Sequence, residues 1–188
     1  MNVTWYVARA SGMVAWFFLA ASVLWGLGVT TRILQDRRKP GWLLDLHRWL
    51  GGLALSFTVI HLIGLWFDEY VEFGLREFFV PFASEWRPKA IAWGVVAFYL
   101  LVAVQVTSLM QRKLPKEVWR GIHLTSFVMF FAAGIHAGLS GTDMTRGFYR
   151  WSTVTLIGLG MVAMLYRFLA GTVRAAAKKA REERDRVG

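Results

Sequence analysis

Five apolar runs dominate this chain, each close to the roughly 20 residues that a helix needs to cross a hydrocarbon core about 30 Å thick. They lie at Trp5–Val29, Leu43–Phe67, Ala90–Met110, Val118–Leu139 and Trp151–Ala170. Lipid offers backbone amides no hydrogen-bond partners, so runs of this length must satisfy their polar groups internally. They predict an all-α, polytopic membrane bundle of about five transmembrane helices. The first run is expected to stay in the mature protein: Met1–Ala8 lacks a basic leader, the run is too long for a signal peptide, and basic residues follow at Arg32 and Arg37–Lys39.

A formal charge of +10 would suit nucleic acid only as a continuous basic surface, and here the basic residues fall between apolar runs. Sorting the connectors by side puts sixteen basic and six acidic residues on one face and six of each on the other. The positive-inside rule makes the first face cytoplasmic, with the amino terminus outside and the carboxyl terminus inside. Two units follow: a helix bundle over residues 1–171 and a basic cytoplasmic tail over residues 172–188, read as a helix continuing from the fifth span. The connector from Asp68 to Lys89 is expected at the outer interface, anchored by Tyr70 and Trp86, with its acids solvated.

The chain has no cysteine, which excludes disulfides, thiolate-held iron–sulfur clusters, thiolate-ligated zinc and covalent C-x-x-C-H haem attachment. Any haem would be bound without covalent links to the protein.

Ionisable residues within spans are costly and mark function. All four histidines fall there: His47 and His61 in the second span, His123 and His136 in the fourth. Separations of 14 and 13 residues correspond to about 20 Å along each helix. Both spans run in the same direction, so His47 matches His123 in depth near the inner boundary and His61 matches His136 near the outer one. Two imidazoles fill both axial positions of a haem iron. The expectation is two b-type haems, an inner one on His47 and His123 and an outer one on His61 and His136; Arg9 either pairs with the outer propionates, and Arg48 or Arg120 with the inner ones, or these arginines simply snorkel to the interface.

At about 100° per residue, His47 and His61 share a helix face, whereas His123 and His136 stand roughly 140° apart. Tilt, an irregularity near Gly134, or haems approaching from different sides would each accommodate this. Gly51, Gly52, Gly64, Gly121, Gly134 and Gly138 either admit a porphyrin or serve helix packing. Phe130, halfway between His123 and His136, either bridges the two levels or simply packs.

These residues resemble a known family, the ferric reductase-like transmembrane domain of NADPH oxidases, ferric reductases and the haem-binding subunit of the bacterial periplasmic methionine-sulfoxide reductase system. The stretches LHRWLGGLALSFTVIHL and GIHLTSFVMFFAAGIH are similar to the oxidases' two haem-ligand helices, and ARASG at Ala8–Gly12 to the start of their preceding helix, whose arginine lies near the outer haem. QRKLPKEVWRGIH is similar to a loop of the sulfoxide-reductase subunit.

The resemblance implies a ferric reductase-like oxidoreductase membrane subunit in the cell membrane, most simply a bacterial inner membrane. It would carry electrons from a separate cytoplasmic flavin/NAD(P)H reductase to an external acceptor: ferric iron, oxygen, quinone or a reductase subunit. No G-x-G-x-x-G is present, so the chain is not expected to take hydride from a nicotinamide itself. Two rivals are a quinol-oxidising cytochrome b subunit and a transporter that uses the histidines for metal or protons.

Overall fold

A computed structural model describes residues 3–30, 41–69, 73–145 and 147–187. Arg32, Arg37–Lys39 and Tyr70, used above for topology and anchoring, lie outside the described residues. The order is α1 (Val3–Thr30), α2 (Gly41–Trp66), α3 (Leu75–Phe79), α4 (Pro88–Leu109), α5 (Lys116–Leu124), α6 (Ser126–Ser140), a 3₁₀ turn (Thr142–Thr145) and α7 (Gly147–Val187). No strand occurs among the described residues. Five helices are long and apolar enough to cross a membrane, with α5 and α6 forming one of them as Lys116–Ser140. The all-α, five-span expectation agrees with this, and each span differs from its sequence estimate by only a few residues at most boundaries.

Helices α1 and α2 pack lengthwise and antiparallel, α4 packs against α5 and α6, and α1 also touches α6 and α7. In lipid, helix association depends on close packing because hydrocarbon already solvates apolar side chains. Small residues provide that closeness: Ala8, Ala20 and Ala54 are almost fully buried, and a Cβ on Gly64 would meet the Ala8 backbone at 2.9 Å. The central cluster joins Trp16, Leu19, Ala20, Val23 and Leu27 of α1 to Ala54, Leu101, Met129, Phe130 and Ala137. A second cluster seats the connector, with Phe73 and Phe78 packed on Ile91 and Val95 and flanked by Leu62, Leu65 and Trp86.

The span containing His123 and His136 is not one regular helix. Helix α5 ends at Leu124, the Thr125 amide donates to Ile122 O at 3.0 Å in a tightened turn, and α6 restarts at Ser126. Regular i+4 bonding resumes when Met129 N donates to Thr125 O. This irregularity lies two residues after His123, not near Gly134. It changes the azimuth between the two histidines, which an unbroken helix would hold 140° apart.

Helix α7 runs unbroken through the fifth span to Val187, so the tail continues that helix as expected. The acids of the connectors are not all solvated. Asp68 and Asp143 are only 4% and 6% exposed, which corrects the reading of the outer acids as a uniformly wet face.

Candidate functional site: two facing histidine pairs

The structure brings the four histidines together in the two expected pairs. The His47 and His123 ring centres lie 6.0 Å apart at 73°, and those of His61 and His136 lie 6.4 Å apart at 71°. At each level two imidazoles meet, and among the described residues no group of three or more His, Asp or Glu side chains could hold a metal ion. A protein-only zinc site takes three or four ligands. Two imidazoles suit an ion whose remaining positions come from a macrocycle. With metal–nitrogen bonds of roughly 2.0 Å and about 1.1 Å from nitrogen to ring centre, two axial imidazoles put their centres about 6 Å apart. The observed separations fit a haem iron at both levels.

The other ring nitrogen explains how each histidine is aimed. His61 Nδ1 donates to Ala8 O at 2.7 Å, His136 Nδ1 to Ala90 O at 2.9 Å and His47 Nδ1 to Ser22 O at 3.0 Å. A carbonyl can only accept, so the proton of each neutral ring sits on Nδ1 and the Nε2 lone pair is left for a metal. Hydrogen bonding of this kind fixes ring orientation and raises ligand basicity.

Behind each of these rings stands a glycine, four residues after the accepting carbonyl. A Cβ on Gly12 would meet His61 Nδ1 at 2.8 Å, one on Gly94 would meet His136 Nδ1 at 2.7 Å, and one on Gly26 would meet His47 Cε1 at 3.1 Å. The carbonyl of residue i and the amide of residue i+4 form one helical hydrogen bond. A ring that reaches this carbonyl therefore passes over the i+4 position, where a side chain would block it. Ala8-x₃-Gly12, Ser22-x₃-Gly26 and Ala90-x₃-Gly94 are three copies of one socket.

His123 lacks this socket. The α4 residue beside its ring is Ser108, which carries a side chain where the three sockets have glycine. His123 Nδ1 lies 3.5 Å from Ser108 Oγ, and its ring stacks on Trp119 with centres 5.1 Å apart at 24°.

The His61/His136 level opens on a cavity that also holds Arg9, Trp5, Asp143 and Tyr149 in its wall. Arg9 thus reaches the level assigned to it, although its guanidinium is already engaged. Arg9 Nε donates to Asp143 Oδ2 at 3.0 Å and Nη2 to Oδ1, with the Trp5 ring 5.7 Å away. This bidentate pair joins the start of α1 to the 3₁₀ turn across 134 residues of sequence. Asp143→Asn leaves the arginine with a neutral partner, and we expect a loss of about 1–3 kcal/mol of stability, read as a lower thermal midpoint in detergent. An unchanged midpoint would make the pair a bystander.

On the His47/His123 side, Arg48 lies 3.4 Å from Asp45 on an exposed part of α2, and Arg120 is exposed. Midway between the levels, Trp16 and Phe130 stack with centres 5.2 Å apart, at 3% and 1% exposure.

Of the glycines singled out in the sequence, Gly64 and Gly134 pack against neighbouring helices and Gly51 faces the Gln105 amide, whereas a Cβ on Gly52, Gly121 or Gly138 would meet nothing within 4 Å among the described residues.

A family model described as ferric reductase like transmembrane component matches residues 11–135, which is most of the bundle. The chain belongs to the ferric reductase-like transmembrane family. Membership brings transmembrane electron transfer and, in general, haem binding. The match spans Gly12, Gly26, Gly94 and three of the four histidines; His136 falls just beyond its end. No curated protein matches the chain.

Proposed function

We propose that this ferric reductase-like protein is a dihaem b-type electron conduit of the cell membrane, and the two facing imidazole pairs, three of whose rings bond a carbonyl through Nδ1 and so keep the Nε2 lone pair for a metal, are the observation that carries the reading. His47 and His123 hold the inner haem, His61 and His136 the outer. Haem supplies reversible one-electron chemistry at each level when bound. The chain supplies everything else. Its sockets fix three ligand tautomers, its helices exclude water, and the intervals of 14 and 13 residues set the two levels about 20 Å apart along the helix. Two histidines would hold each haem, and a haem held in this way would supply electron passage and not oxygen activation at the metal.

The basic face, assigned to the cytoplasm by the positive-inside rule, is the landing surface for a separate flavin/NAD(P)H reductase. Complementary charge accelerates such encounters and makes them salt-sensitive. Delivery occurs at the His61/His136 level to an external acceptor such as ferric iron, oxygen or a reductase subunit.

Pyridine haemochrome quantification of the purified protein tests the reading directly. Two non-covalent haems per chain are expected. A preparation free of haem after expression with haem supplied would sink the proposal, and a firm value of one would reduce it to a single level.

A further inference from the structure

The fourth histidine is held by a different device from the other three, and that difference points to a residue with no role so far. Among the described residues, His123 has no carbonyl socket and no glycine behind its ring. Its weak contact with Ser108 at 3.5 Å is long for a hydrogen bond to fix a tautomer. What holds the ring is Trp119, one turn earlier on α5, stacked nearly parallel at 24°. Both residues face the same way because they are four apart on one helix.

The indole carries a second observation. Trp119 Nε1 is shielded from solvent and has no hydrogen-bond partner among the described residues. An N–H in this state loses its hydration without replacement, a cost of about 1–3 kcal/mol. Interfacial tryptophans ordinarily turn this group toward water or headgroups, whereas here it is shielded from solvent on a ring stacked against His123. The acceptor that suits it is an anionic oxygen, since hydrogen bonds to ionised groups are about twice as strong as neutral ones. A haem bound between His47 and His123 carries two carboxylates at its edge.

Building on the dihaem reading, we propose that Trp119 is the positioning residue of the inner haem, clamping the His123 ring by its face and donating its indole N–H to a haem carboxylate. The inner haem is thereby seated by one carbonyl socket and one aromatic clamp, where the outer haem is seated by two carbonyl sockets. The donor draws charge from the carboxylate. Without it, the full negative charge bears on the iron and favours the ferric state.

Two variants of the purified holoprotein separate the parts of this proposal. Trp119→Phe keeps a stacking ring and removes the N–H, while Trp119→Ala removes both. Haem content and a spectroscopic redox titration are read for each, the inner component being the one that His123→Ala eliminates. Trp119→Phe is expected to retain both haems and to move only the inner component to lower potential. Trp119→Ala is expected to lose about half of the haem.

An inner potential unchanged in Trp119→Phe would overturn the donor role, as would an equal movement of both components. Full haem retention in Trp119→Ala would overturn the clamp. Two haems in the parent protein with either of these results would leave the dihaem reading standing and remove only the role of Trp119.

Discussion

Replacing His61 or His136 with alanine is expected to lower haem content from two to one per chain and to reduce electron delivery to background, while the remaining haem is still reduced from the basic side. Each pair of imidazoles meets only its own partner, at 6.0 Å and 6.4 Å. The levels are about 20 Å apart along the helices, so loss of one ligand leaves the other pair intact. Haem stoichiometry, the visible spectrum after addition of a flavin reductase with NADH, and the rate of acceptor reduction measure the three parts. Simultaneous loss of both haems would show that the levels do not load independently. Retention of full delivery would contradict the route altogether.

The second large effect comes from glycines that carry no chemistry of their own. A valine at Gly94 or Gly12 places its Cβ within 2.8 Å of the His136 or His61 ring, a distance that real contacts do not tolerate. The ring cannot retreat without giving up its bond to Ala90 O or Ala8 O. Overpacking of this kind costs about 1–3 kcal/mol, and displacement of the axial nitrogen adds to it. Both variants are expected to lose the outer haem selectively. Gly26→Val, where the contact is 3.1 Å, is expected to weaken the inner one less sharply. Gly158→Val meets no atom within 4 Å and serves as the control for fold and expression. If Gly12→Val and Gly94→Val keep the parent spectrum and haem content, the sockets have no part in ligation.

Much of this arrangement is legible in the sequence because it follows from one-dimensional rules. Hydropathy locates the spans, and two co-directional helices with near-equal histidine intervals pair His47 with His123 and His61 with His136. The sockets escaped because they depend on neighbours across a helix interface. Gly12, Gly26 and Gly94 look like ordinary packing glycines until their distance from Ala8, Ser22 and Ala90 is set against the positions of the histidines. A small residue four places before a glycine, repeated at the same 14-residue interval as His47 and His61, was the signal available. Asp143 lies near the end of a connector and reads as wet. Only the fold shows that it closes on Arg9 and is buried. The Thr125 irregularity left no mark in the composition of the span, which is why a helical wheel put His123 and His136 on different faces.

The antiparallel seating of α1 on α2 constrains how this protein can vary. Ala8 serves His61 and Ser22 serves His47, so the numbers of each partnership add to the same total and the vertical interval is encoded twice. One extra residue between Ser22 and Ala8 would carry one acceptor about 100° round its axis and 1.5 Å along it, away from an imidazole that had not moved. Insertions and deletions in these two stretches are therefore tolerable only as matched pairs, and two separate segments of chain must drift together as a single heritable ruler.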